Sequence, residues 1–376
     1  MNNATASSSY FGWAIAAGNF NDDRDTATAT IGCADLAVGA PGATGGATRG
    51  RVYLFFGGDQ GLKAPALGAA NQLTCSLPQN SNCSIEVLEM TGLHTGILNT
   101  GATGLGFSLA AGDVTGDGIA DLLTSAPAGV DSISSVKTGT VRLYSGTTYG
   151  LAGNPRIFVP PTTAGWQQTN EYFGYNVAVG NISSVAVKDI VISAIGMDRV
   201  PIADSGKGSV FWIMGGTANL DNASTVDVNR RLQIAGRATR WDALRVPSGT
   251  TTENLELPLA VADWNRDGFD DIATAWRGAL LGEVIVWYGS SGNGPMPHQT
   301  TVPTLNALTC PIGQPIGVPN QCPPQAIRPP NPVNNFYNLG TKLITLPDLN
   351  GDGYPELVAT APNALNPPTA GLSSNG

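Results

Sequence analysis

The stretch "DLNGDGYPELVATAP" (348–362) sets oxygen-bearing side chains at every second position, Asp348, Asn350 and Asp352, then a glycine, then an apolar run that reads as a buried strand. Only 12% of the chain is charged, against roughly 25% in an average soluble protein. Acids gathered ahead of a hydrophobic strand therefore need a reason. The stretch also recurs. "GDVTGDGIADLLTSAP" begins at Gly112 and "ADWNRDGFDDIATAW" at Ala262, with weaker copies at Gly18 ("GNFNDDRDTATATIGCADLAVGAP") and Gly180 ("GNISSVAVKDIVISAI"). Counting the first loop residue of each as position one gives Asn19, Asp113, Asn181, Asp263 and Asp348, spaced 68 to 94 residues apart.

Each loop belongs to a larger unit. Ahead of it is expected a strand of the form FGxxhAxG: "FGWAIAAG" (11–18), "LGFSLAAG" (105–112) and "FGYNVAVG" (173–180), with looser versions at 255–262 and 339–347. Further on comes a G-x-V strand closed by glycine: "GRVYLFFG" (50–57), "GTVRLYSG" (139–146), "GSVFWIMG" (208–215) and "GEVIVWYG" (282–289). Repeats of this length, built from three or four short strands, specify a β-propeller. One blade cannot bury both faces of its sheet, so neighbours must stack. In "RVYLFF", Val52, Leu54 and Phe56 fall on one face and Arg51, Tyr53 and Phe55 on the other, and both faces are largely apolar. Plentiful Gly (48) and Pro (26) and the lack of any helical stripe agree with an all-β chain rich in turns.

Phe-Gly, Asp-x-Asn-x-Asp-Gly-x-x-Asp, Gly-Ala-Pro and Gly-x-Val-Tyr, in this order, resemble the FG-GAP repeats of integrin α-subunit propellers and their bacterial relatives. The resemblance spans about residues 10–362. It implies a calcium-bearing β-propeller of four-stranded blades, seven to the ring, outside the cell or on its surface. Five units are visible, at about 10–98, 99–165, 166–250, 251–330 and 331–376, the last incomplete. Either the ring continues elsewhere or the blade number differs from seven. The expected organisation is one domain over 8–364 with flexible ends at 1–7 and 365–376.

Ca²⁺ takes six to eight oxygen ligands. Side chains at positions one, three and five point inward, the glycine at six permits the turn, seven offers its carbonyl and nine adds a carboxylate. Three loops fit: Asp113, Thr115, Asp117, Ile119 (carbonyl) and Asp121; Asp263, Asn265, Asp267, Phe269 (carbonyl) and Asp271; Asp348, Asn350, Asp352, Tyr354 (carbonyl) and Glu356. Thr115 is a weaker ligand than Asn or Asp, and Glu356 is one methylene longer than Asp. None is an EF-hand, which needs an acid at position twelve and flanking helices; position twelve here is Thr124, Thr274 or Ala359. The first loop keeps Asn19, Asn21, Asp23 and Asp35 as a fourth candidate, with Asp25 as a substitute ligand across an insertion. The 181–189 loop has Val185 at position five and Lys188 before Asp189, and is expected to bind nothing. The bland reading, that Asp-Gly and Asn-Gly merely form turns, explains one such loop but not three in register.

Net charge is −9 with no Lys/Arg cluster, which argues against nucleic acid and anionic membrane surfaces. No apolar run is long enough to span a membrane. The start of the chain has no basic n-region or adequate h-region, so no signal peptide is expected, and a secreted protein would be a mature form or a piece of a longer one. Cys75 with Cys83, and Cys310 with Cys322, bracket Pro/Asn-rich loops and are expected disulfides in an oxidising compartment; Cys33 is left over as a buried thiol. The two histidines, His94 and His298, lie between strands and do not form a catalytic pattern, so no enzyme activity is expected. Trp212, Trp276 and Trp287 read as core, while Trp166 and Trp241 lie in inter-blade segments where they could face a ligand. Longer stretches at 63–98, 217–250 and 290–335 read as insertions on one rim. The expected function is an extracellular binding or adhesion module for a protein or glycan ligand, with structural calcium. The alternatives are a lectin, or an accessory domain of a secreted enzyme joined to other domains.

Overall fold

The structure is a computed structural model, and it describes residues 9–24, 32–45, 48–58, 61–62, 85–89, 104–129, 139–153, 155–159, 172–195, 209–221, 231–233, 257–276, 283–291, 325–327 and 339–362. Four antiparallel sheets of four strands follow one another along the chain, each strand hydrogen-bonded to the next in sequence. The first is β1 (Ile15–Gly18), β2 (Asp35–Gly45), β3 (Thr48–Phe55) and β4 (Ile85–Glu89). The second is β5 (Leu109–Gly112), β6 (Asp121–Ala126), β7 (Thr140–Tyr144) and β10 (Arg156–Phe158), with a hairpin, β8 (Gly146–Thr147) and β9 (Gly150–Leu151), inserted before the last. The third is β11 (Phe173–Gly180), β12 (Asp189–Ala194), β13 (Ser209–Ile213) and β14 (Arg231–Gln233), with a single helical turn, α1 (Thr217–Asp221), before β14. The fourth is β15 (Leu259–Ala262), β16 (Asp271–Trp276), β17 (Glu283–Trp287) and β18 (Gln325–Ile327); a fifth unit contributes β19 (Leu343–Leu346) and β20 (Glu356–Ala359). The first strands β1, β5, β11, β15 and β19 lie side by side in that order, which stacks the sheets as successive blades.

Alternation of side chains builds the seams between blades. Val52 and Leu54 of the first blade pack with Leu109, Leu122 and Tyr144 of the second. On the other side of the second blade, Leu123, Val141, Leu143 and Phe158 meet Ile190, Ile192 and Phe211 of the third. Val191, Val210 and Trp212 then meet Ile272, Ile285 and Trp287 of the fourth. Burying one such large side chain stabilises by roughly 1.5–3 kcal/mol. The seam between the fourth and fifth blades is leaner, made of Ala260, Ala273, Ala275, Val284, Val286 and Leu343.

Three expectations need correction. The Phe11-Gly12 and Leu105-Gly106 dipeptides of the first two blades are not in strands: Gly12 and Gly106 take φ of 89° and 84°, turning the chain before β1 and β5 begin. The three stretches read as insertions contain the fourth strands β4, β14 and β18. The two faces of "RVYLFF" are also unequal in burial: Val52, Leu54 and Phe56 are buried, the first two packed with the second blade, while Arg51, Tyr53 and Phe55 are half-buried. Among the described residues no helix is long and apolar enough to cross a membrane. The expected flexible ends lie outside the described residues.

Candidate cation-binding loops

The second, fourth and fifth loops share one backbone geometry. The position-one carboxylate accepts the position-six N–H: Gly118 to Asp113 at 2.9 Å, Gly268 to Asp263 at 2.9 Å and Gly353 to Asp348 at 2.7 Å. The position-five carboxylate accepts the position-seven N–H from Ile119, Phe269 and Tyr354, each at 2.9 Å. Both bonds require the chain to fold back sharply at position six, where the glycines take φ of 87°, 93° and 90°, a conformation that other residues seldom adopt. Asn265 and Asn350 fill position three in the same way, each accepting the N–H of Asp267 or Asp352, at 3.0 and 2.8 Å.

Position nine is where the loops part. Asp121 is fully buried. Its Oδ2 accepts the N–H groups of Val114 and Thr115, and its Oδ1 accepts that of Gly146, the glycine closing the third strand. Asp271 bonds Trp264 and Gly289 likewise, Asp35 bonds Phe20 and Gly57, and Asp189 bonds Ser183 and Gly215. The aspartate that opens the second strand is thus a staple between its own loop and the end of the third strand, in four blades. Sequence reasoning missed this role, including at Asp189 in the loop expected to bind nothing. Burial pushes the Asp121 carboxyl up to about 6 and that of Asp271 up to about 8, although the N–H donors pull the other way. Asp189 and Asp263 shift upward, again mainly through loss of water.

In the fifth loop, Asp348, Asp352 and Glu356 each bring a carboxylate oxygen within 4.8 Å of the others. Among the described residues no other three acids converge this closely. Glu356 also accepts the Leu349 N–H at 2.9 Å, so its extra methylene lets one carboxylate staple the loop and face its acids. Three carboxylate oxygens gathered this way suit a hard cation such as Ca²⁺.

The first loop brings Asn19, Asn21 and Asp23 together: Asn19 Nδ2 donates to the Asp23 carbonyl at 2.8 Å, and Asp23 N–H donates to Asn21 Oδ1 at 3.2 Å. Asn19 Oδ1 is buried with no hydrogen-bond partner among the described residues. Asp25 lies outside them. The third loop is closed by protein donors instead: Asn181 Nδ2 reaches the carbonyls of Ser184 and Val187, and Lys188 Nζ reaches Asn181 Oδ1 at 3.4 Å. Cys33 is half-buried rather than buried. Cys75, Cys83, Cys310, Cys322, His94, His298, Trp166 and Trp241 lie outside the described residues. Trp212 and Trp287 are buried, as expected of core residues.

The FG-GAP repeat family matches residues 105–144 and 340–375. The chain is 28% identical over 210 residues to phosphatidylinositol-glycan-specific phospholipase D of Bos taurus, covering 55% of this chain and 21% of the relative. The protein of the same name from Homo sapiens is 28% identical over 213 residues, covering 56% and 21%. That from Rattus norvegicus is 28% identical over 186 residues, covering 49% and 18%. The chain thus spans about a fifth of the length of these relatives. Matched motifs and stacked antiparallel blades agree: the chain carries FG-GAP repeats at these two places within a succession of four-stranded antiparallel sheets.

Proposed function

We propose that the blades form an extracellular binding module for a protein or glycan partner, stiffened by calcium in the loops between first and second strands. The convergence of Asp348, Asp352 and Glu356 carries the calcium reading. An ion there cancels the repulsion among three carboxylates and fixes the entry to β20. The shared loop geometry extends the reading to the second and fourth loops, with Asp113, Asp117, Asp263 and Asp267 as the side chains turned to the ion. The buried Asn19 oxygen without a partner supports a fourth site in the first loop. The role of calcium is structural. It has no part in bond making, and no residue described here is assigned a catalytic role.

Calorimetric titration with Ca²⁺ tests this. Saturable binding is expected, reduced by one site in Asp348→Asn. A flat titration of the parent chain would overturn the calcium reading. The likeness to part of a much longer phospholipase D favours a second reading, in which the module is the non-catalytic portion of a secreted enzyme. Fusing the blades to, or deleting them from, such an enzyme separates the two: a change in substrate capture with unchanged turnover on a soluble substrate supports the accessory role.

A further inference from the structure

A regular pair of backbone links ties each blade to the one before it. The position-eight N–H donates to the position-one carbonyl of the preceding loop: Ala120 to Asn19 at 3.1 Å, Lys188 to Asp113 at 2.9 Å and Asp270 to Asn181 at 2.9 Å. The residue after the closing glycine donates to the position-two carbonyl: Thr147 to Phe20 at 3.3 Å, Gly216 to Val114 at 2.8 Å and Ser290 to Ile182 at 3.0 Å. Between the fourth and fifth blades the first link cannot form, because position eight is Pro355 and proline has no N–H.

A different contact stands at that junction. Arg266, position four of the fourth loop, places its guanidinium carbon 5.3 Å from the centre of the Tyr354 ring. It also lies against Gly353, where an added Cβ would meet Arg266 Nη1 and the guanidinium would have to shift. Gly118 and Gly268, the position-six glycines of the other two loops, have open space at the same point. Arg266 holds a left-handed φ of 58° at a position where the sister loops use Gly116 at 84° and Gly351 at 81°. A long charged residue in a glycine conformation is unfavourable in isolation, and its presence points to a role. The two residues it approaches are the turn glycine of the fifth loop and Tyr354, at the position whose carbonyl the sequence pattern assigns to a cation.

We propose that Arg266 is a cross-blade positioning residue for the fifth loop's cation site, replacing the backbone link that Pro355 removes and coupling ion binding in the fourth and fifth loops. This rests on the calcium reading above. When the fourth loop closes on its ion, Asn265 and Asp267 are drawn inward and the backbone of Arg266 between them is fixed. The guanidinium then holds Gly353 and Tyr354 in the shape that presents the position-seven carbonyl.

The test is a Ca²⁺ titration of the full chain followed by NMR, reading the Gly353 amide for the fifth loop and the Gly268 amide for the fourth. Silencing the fourth loop with Asp263→Asn and Asp267→Asn is expected to weaken fifth-loop binding by about two- to fivefold, the span of an exposed cation–π contact. Arg266→Gly should weaken it similarly, and silencing the fourth loop should then add nothing. Tyr354→Leu keeps the carbonyl, removes the ring and should act like Arg266→Gly, while an unshifted Gly18 amide reports that the blades remain folded. Unchanged fifth-loop affinity in Arg266→Gly, or an undiminished effect of silencing in that background, overturns the proposal while leaving the calcium reading intact. If neither Gly268 nor Gly353 responds to Ca²⁺ in the parent chain, the calcium reading fails and this coupling fails with it.

Discussion

The second and fifth loops carry the same nine-residue pattern and spend its last carboxylate differently. Asp121 is sealed in the blade, both oxygens held by N–H groups of Val114, Thr115 and Gly146. Glu356 is half-buried, bonds one N–H, and stands among the acids of its own loop. The first arrangement closes a blade with or without an ion; the second leaves a carboxylate committed to whatever neutralises its neighbours. One motif therefore serves two physical purposes among the described residues.

Replacing these two residues should separate the purposes most widely. Asp121→Ala leaves three buried N–H groups unpaired, and a buried unmet donor costs about 1–3 kcal/mol. A loss of about 3–5 kcal/mol is expected, with or without calcium, measured by denaturant unfolding. Glu356→Ala exposes one N–H to water and should cost under about 1 kcal/mol in chelator. It should, however, remove the calcium-dependent stabilisation of its loop, which reaches about 2.7 kcal/mol at a hundredfold excess over Kd. Equal losses in chelator would break the contrast.

The comparison also shows where sequence reading stops. The loops, their repeat and the third strands were legible because each is a local pattern. The staple was not legible, since Asp121 and Gly146 are 25 residues apart and no spacing rule joins them. The fourth strands were read as insertions because β14 and β18 are only three residues long, below the length at which alternation can be seen. The FGxxhAxG segments were read whole as strands because an apolar run hides the left-handed turn at Gly12 and Gly106.

Acidity offers a smaller and oppositely signed test. The Asp121 and Asp271 carboxyls rise from 3.8 to about 6 and about 8 on folding because burial strips their water. Between the unfolded and folded values the folded chain holds more protons, so stability is greatest at the acid end and declines as pH rises. In chelator, the thermal midpoint is expected to fall from about pH 4 to 6 through Asp121, and on towards 8 through Asp271. Calcium, if it binds the ionised loops as proposed, should flatten the decline. Asp271→Asn should reduce the slope in chelator. A midpoint rising over this range in chelator would place the staple carboxylates among ordinary stabilised acids.

The third loop sharpens the contrast from a third side. It keeps the staple, Asp189 to Ser183 and Gly215, but has Val185 where the other loops have an acid and holds its position-one oxygen with Lys188. If the ion's task is to neutralise and gather oxygens at the loop mouth, then one ammonium on one amide oxygen can perform a reduced version of that task, because far less negative charge is present. Lys188→Ala should therefore loosen this loop by about 0.5–1.5 kcal/mol, the worth of a single partly buried hydrogen bond. The loss should be the same in calcium and in chelator, and faster hydrogen exchange should be confined to the amides of 183–188. A calcium-dependent loss would mean that this loop takes an ion after all, and that the lysine is a bystander to a site built from Asn181, Ser183 and Asp189.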